Sequence, residues 1–81
     1  MTKEQAFIEL QQIFRTVFKT SKLEIDYSTT MDDVESWDSL SHVVLIDTVE
    51  KHFNIKFELR DMLNIESVDD ICNSVIAKSK I

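Results

Sequence analysis

The chain contains no glycine and no proline among its 81 residues, and this absence constrains its fold more than any other feature. Small strand-rich folds need tight turns, which take glycine for positive φ angles and proline for a preset φ. Helices joined by polar loops do not depend on either residue in this way. The composition therefore predicts an all-α protein.

The length predicts a single domain over residues 1–81. A hydrophobic fraction of 43% and a charged fraction of 30% are typical of a folded globular protein. The single cysteine, Cys72, cannot form an internal disulfide, and its apolar surroundings predict a small buried side chain. No apolar run approaches the roughly 18 residues that span a bilayer, and the first residues do not resemble a secretory signal. We therefore expect a cytoplasmic monomer without membrane insertion.

The first and last helices are indicated by capping residues followed by a helical period. Thr2 and Gln5 have the spacing of a capping box, and a helix is predicted from Lys3 to Lys19. Its apolar face has three-to-four spacing and consists of Phe7, Leu10, Phe14 and Val17. Ser67 is the N-cap predicted for a last helix that ends at about Lys78.

The middle of the chain predicts one long and one short helix. Asp38 is a good N-cap for a helix from Ser39 to His52. The core positions predicted for it are Val43, Ile46, Val49 and Phe53. Ile55 and Phe57 are predicted to anchor a loop in the core, and residues 58–63 to form a short helical turn. Three main helices and a short one predict a small four-helix bundle.

A long segment, residues 23–37, shows no sustained period and is predicted to be a loop whose apolar side chains hold it across the core. Loops of this length are uncommon in compact domains and are often functional.

The charge distribution favours protein partners. The net charge is −6, and Leu23 to Glu50 contains eight acidic residues and no lysine or arginine. Nucleic-acid binding depends on basic contacts to phosphate and is therefore not expected. The acidic stretch favours docking by basic partner surfaces, although a merely solvated face is the simpler alternative.

Three candidate chemical sites lack the residues that their chemistry requires. Ser39 and His42 are neighbours on a helix, but a serine hydrolase also needs an oxyanion hole and an orienting acid. We therefore predict that His42 is an exposed residue on a polar face. His42, His52 and Cys72 have no metal-ligand spacing, and residues 32–35 lack the glycine turn of a calcium loop. No catalytic residue and no metal site are predicted.

The segment Trp37-Asp38-Ser39-Leu40 places a serine at the start of a helix, directly after its cap and within the acidic stretch. The all-helical pattern accompanies it, and so do the helix core that follows and the segments beyond. With these residues the chain resembles the acyl carrier protein family: Val43, Ile46, Val49, Phe53, Ile55 to Leu59 and Ser67-Val68. The resemblance covers essentially the whole chain. The Trp-Asp-Ser-Leu form looks more like the free-standing carriers of specialised pathways than like the general fatty acid carrier.

This resemblance implies a non-enzymatic protein with 4′-phosphopantetheine attached to Ser39. A phosphopantetheinyl transferase would transfer the group from coenzyme A with Mg²⁺, assisted by Asp38. Acyl groups would then travel as thioesters between enzymes of fatty acid, polyketide or specialised pathways. The resemblance also implies acyl-loading and acyl-processing partners with basic patches, which would read one side of the second helix. The residues implied for that side are Leu40, Val44, Asp47 and Glu50.

Two alternatives stay open at this point. One is an aminoacyl or peptidyl carrier protein. The other is an acidic helical interaction module that never carries a prosthetic group.

Overall fold

The computed structural model describes residues 2–79, which form four helices. These are α1 (Lys3–Val17), α2 (Ser39–Phe53), α3 (Leu59–Asn64) and α4 (Val68–Ser79). The described residues form no strand beyond one isolated antiparallel bridge, which joins Thr30 to Ser67. The prediction of a four-helix bundle with one short helix is confirmed.

Side chains cap the helices as the sequence predicts. At α1 the Thr2 hydroxyl accepts a hydrogen bond from the Gln5 amide at 3.1 Å, and the Gln5 side chain accepts one from Thr2 N at 3.0 Å. At α4 the Ser67 hydroxyl accepts from the amide of Asp70 at 3.3 Å. These bonds satisfy amides that have no partner inside the helix.

The first helix ends two residues earlier than predicted, at Val17. Lys19 adopts a left-handed backbone conformation with φ of 54°, and the Thr20 amide then donates to the carbonyl of Arg15 at 3.1 Å. This arrangement satisfies a carbonyl of the last turn and stops the helix without the glycine that commonly occupies such a position.

The core is formed by α1, α2, α4 and the long loop, with α1 packed against both other long helices. Its largest fully buried side chains are Phe14, Leu10, Leu45, Ile46 and Ile71. Close packing of these aliphatic and aromatic groups provides most of the favourable free energy of folding. It also fixes the direction of α2, whose first turn carries the candidate site.

The long loop is held across the core, as predicted. Ile25, Val34 and Trp37 are buried, and Trp37 is only 2% exposed. Polar side chains of α1 hold the backbone as well, because Gln11 Nε2 and Arg15 Nε both donate to the Leu23 carbonyl, at 2.7 and 2.8 Å. Further along, loop carbonyls accept hydrogen bonds from the first amides of α4. The loop is therefore a fixed part of the bundle.

Two predictions for α2 are wrong. Val43 was expected in the core but is 54% exposed, whereas His42 was expected on the surface but is only 7% exposed. The helix turns its His42, Leu45, Ile46 and Val49 side inward. His42 tolerates this position because the loop supplies a hydrogen-bond partner, Trp37, for its ring.

The short helix α3 covers α2 incompletely, since none of its six residues is buried. Ile55 before it is buried and Phe57 is partly buried, which confirms the predicted pair of loop anchors. Lys78 of α4 forms a salt bridge with Asp61 at 2.8 Å and holds α3 from the other side. A helix fixed at its edges in this way leaves a groove against the first turns of α2.

Candidate functional site

Asp38 caps α2 and organises the start of this helix. Its Oδ1 accepts hydrogen bonds from the amides of Leu40 and Ser41, both at 3.0 Å. In return, the Ser41 hydroxyl accepts from the Asp38 amide at 2.8 Å. The Ser41 amide bond, above all, lowers the pKa of the Asp38 carboxyl from its ordinary value. The cap predicted from sequence is confirmed, and its carboxylate is ionised at neutral pH.

Ser39 and Ser41 lie in the same helical turn but have different surroundings. The Ser41 hydroxyl belongs to the capping box and also donates to the Ser36 carbonyl at 2.7 Å. Ser39 is the first residue of α2, is exposed, and forms no side-chain hydrogen bond with residues 2–79. Of these two hydroxyls, that of Ser39 is the one a modifying enzyme can reach without disrupting the helix.

Trp37 and His42 form a buried hydrogen-bonded pair beneath this site. The indole Nε1 of Trp37 donates to Nδ1 of His42 at 3.0 Å, and the two rings stack at 6.0 Å. Trp37 also forms a T-shaped pair with Phe14, with the ring centroids 5.2 Å apart. Sequence reasoning missed this pair, although the one signal available was a tryptophan and a histidine on either side of a strong helix cap.

Removal of the Trp37 side chain is expected to destabilise the whole domain. Trp37→Ala leaves a large cavity beside Phe14 and should lower the free energy of unfolding by about 3–5 kcal/mol. Trp37→Phe keeps much of the packing but leaves His42 Nδ1 without its donor, so a smaller loss of about 1–3 kcal/mol is expected. Urea denaturation of both variants measures the two losses, and a Trp37→Phe variant as stable as the unchanged protein would contradict a role for the hydrogen bond.

A groove of about 640 Å³ opens between the start of α2, the short helix α3 and the long loop. Its apolar lining side chains are Met31, Val43, Leu59, Met62, Leu63 and Ile65. Thr30, Asp32, Ser39, His42 and Glu66 supply the polar part of the lining. Because Ser39 belongs to the lining and its hydroxyl faces solvent, a flexible group bonded there could pass directly into an apolar recess.

The predicted partner-binding residues lie on two sides of α2. Leu40 is 82% exposed, Val44 is 55% exposed, and Asp47 pairs with Lys51 at 3.0 Å on the helix surface. Glu50 is half-buried, and its Oε2 accepts from the Phe57 amide at 2.6 Å. The first three residues form an accessible surface, and Glu50 holds the loop that leads to α3.

The histidines and the cysteine do not converge. His52 pairs with Glu9 of α1 at 2.8 Å, whereas His42 faces Trp37 and Cys72 lies in the core. Within residues 2–79, no group of three His, Cys, Asp or Glu side chains has an arrangement that could hold a metal ion. No helix in that part of the chain is long and apolar enough to span a membrane.

Cys72 is expected to be unreactive in the folded protein. Burial raises the pKa of its thiol to about 11. A thiol with a raised pKa forms less thiolate near neutral pH, and the thiolate is the reactive form. Iodoacetamide should therefore alkylate Cys72 rapidly only in urea, as followed by intact mass. Rapid alkylation of the native apo-protein would show that the cysteine is accessible.

Comparison with protein families matches residues 9–75 to the family described as the phosphopantetheine attachment site. Among solved structures, the chain is similar to a holo acyl carrier protein from Geobacter metallireducens, determined by solution NMR. The two are 36% identical with a TM-score of 0.85, over 90% of this chain and 84% of the other. Comparison with curated proteins gives no match.

The helical bundle and the match to the phosphopantetheine attachment family over residues 9–75 together define a carrier protein. The chain belongs to the acyl carrier protein family, which bears covalently attached phosphopantetheine and is not catalytic. The predicted family, fold class and cofactor are thereby confirmed.

Proposed function

We propose that this protein is a free-standing acyl carrier protein whose Ser39 bears the 4′-phosphopantetheine. The observation that carries this proposal is the position of Ser39, which is exposed at the first residue of α2 and belongs to the lining of an apolar groove. The positive end of the α2 dipole also favours a phosphate bonded at this point.

The residues around Ser39 fit the prosthetic group. When bound, its terminal thiol supplies the nucleophile that carries acyl groups as thioesters. The chain itself fixes the attachment point through the Asp38 capping box and offers the groove to an apolar guest. Cys72 lies in the core with a raised pKa and does not compete as a thiol.

Partner recognition is proposed for the outer surface of α2, with Leu40, Val44 and Asp47 as contacts and Glu50 beside them. Exposed apolar side chains next to negative charge suit transferases and acyl-processing enzymes that carry basic patches. Each charge pair on such an exposed surface contributes little affinity, so charge mainly steers the encounter. We further propose that these encounters occur in the cytoplasm.

The pathway is proposed to be a specialised one. Trp37 directly precedes the cap and is tied to His42 in the interior. The support for this proposal is the Trp37-Asp38-Ser39-Leu40 form, which resembles the free-standing carriers of specialised pathways more than the general fatty acid carrier.

The test is intact mass spectrometry after incubation with coenzyme A, Mg²⁺ and a broad-specificity transferase. The protein should gain about 340 Da, the mass of the transferred phosphopantetheine. Absence of this gain would favour an unmodified interaction module. Subsequent loading by an amino-acid-adenylating enzyme, instead of an acyl-loading enzyme, would identify an aminoacyl carrier.

A further inference from the structure

His42 is a buried imidazole whose protonation is fixed by its neighbour. The indole N–H of Trp37 can only donate, so His42 Nδ1, at 3.0 Å, must be an unprotonated acceptor. The imidazole is then neutral and carries its proton on Nε2. His42 belongs to the lining of the groove, so this N–H is a hydrogen-bond donor at the inner side of an otherwise mainly apolar recess.

The hydrogen bond that this N–H now forms is weak. His42 Nε2 lies 3.3 Å from the Met62 carbonyl of α3, longer than the usual 2.9–3.0 Å of such bonds. The same carbonyl also accepts from the Ile65 amide at 3.4 Å. An arriving oxygen can therefore accept a hydrogen bond from His42 Nε2–H while the Met62 carbonyl keeps the Ile65 amide as its donor.

The surroundings define the chemistry of that oxygen. The lining beside His42 is mainly apolar, with Ile65 buried and Val43 and Leu63 at the open side, so a polar atom of a guest finds few other hydrogen-bond partners there. The carboxylates of Asp32 and Glu66 line the same groove and repel an anion. A neutral carbonyl or hydroxyl oxygen fits this environment, and a carboxylate does not.

We propose that His42 is a guest-binding residue of the carrier, whose Nε2–H donates to a neutral oxygen of the group that occupies the groove. The inference rests on the proposed function, since that group arrives on the arm at Ser39. Two sources offer such an oxygen: the amides and hydroxyl of the arm, and an oxygenated acyl group. Either way, His42 holds the guest in the groove and shields the thioester.

Imidazole ¹⁵N NMR separates the two sources, with His52 as the internal surface control. Spectra of the apo, holo, hexanoyl and 3-hydroxyhexanoyl proteins are compared after loading from the corresponding coenzyme A derivatives. A shift of His42 Nε2–H in the holo-protein identifies the arm as the source. A shift only with 3-hydroxyhexanoyl identifies the acyl group. An unchanged His42 in all loaded forms overturns the proposal, whereas failure to load, seen by mass, overturns the proposed function instead.

Cleavage of the loaded thioester by hydroxylamine provides the second measurement. Loss of one hydrogen bond in His42→Leu should speed cleavage about three- to tenfold. His42→Gln retains an acceptor for Trp37 and a donor for the guest, and it should restore much of the protection. Urea denaturation of the same variants reports stability separately. If Gln restores stability but not protection, or if all three proteins are cleaved at one rate, His42 has only a structural role.

Discussion

Ser39→Ala is expected to abolish the gain of about 340 Da completely while leaving the fold intact. The exposed hydroxyl forms no hydrogen bond with the rest of residues 2–79, and alanine is favourable in a helix, so stability should change by less than about 0.5 kcal/mol. Intact mass after incubation with coenzyme A, Mg²⁺ and transferase gives the first result. Urea denaturation gives the second.

Ser41→Ala is the matched control, because it removes a hydroxyl two residues away in the same turn. Its loss breaks the bonds with the Asp38 amide and the Ser36 carbonyl and should cost about 1 kcal/mol of stability. The mass gain should persist. Modification of Ser39→Ala, or loss of modification in a folded Ser41→Ala, would contradict the assignment of the attachment to Ser39.

Much of this fold was predictable because local signals agree with the tertiary structure. The Thr2, Asp38 and Ser67 caps each place a side-chain acceptor before an apolar period, and all three helices begin where those caps predict. The absence of glycine and proline pointed the same way. When capping, hydrophobic period and turn chemistry agree in this way, the fold can be predicted from the sequence.

The buried side of α2 was not predictable to the same accuracy. A helix that is apolar around much of its circumference has more than one possible core side, so Val43 was predicted to be buried and His42 to be exposed, the reverse of what the structure shows. Burial of His42 depends on Trp37, which reaches it from the loop, and a tertiary hydrogen bond of this kind leaves no period in the sequence. Val43 is exposed because the short helix α3 covers this side of α2 incompletely.

The candidate site, too, was predictable from the sequence only in part. Asp38 and Ser39 were predictable from the local sequence, because Asp38 is the helix cap and Ser39 is the first residue after it. The groove beside them requires residues from the long loop, from α2 and from α3, which are far apart in sequence. Its existence depends on packing, and only the structure brings those residues together.

The role of Asp38 in attachment leads to the second strong prediction. Both capping bonds go to Oδ1, so Oδ2 of this exposed, ionised carboxylate is open to a metal ion brought by the transferase. Mg²⁺ prefers carboxylate oxygens and is usually bound through one or two of them together with phosphate. We therefore expect Asp38 to serve both as a helix cap and as a ligand during the transfer.

Asp38→Asn separates these two roles, since asparagine caps helices about as well as aspartate but carries no charge. The urea midpoint should change little, while the rate of phosphopantetheine transfer should fall at least tenfold, the order expected when a metal-site contact is lost. The Mg²⁺ concentration that gives half-maximal rate should rise as well. Asp38→Ala, which loses the cap too, should lower both stability and transfer. If Asp38→Asn is modified at the full rate with an unchanged Mg²⁺ requirement, Asp38 acts as a cap alone, and the transferase obtains its metal ligands elsewhere.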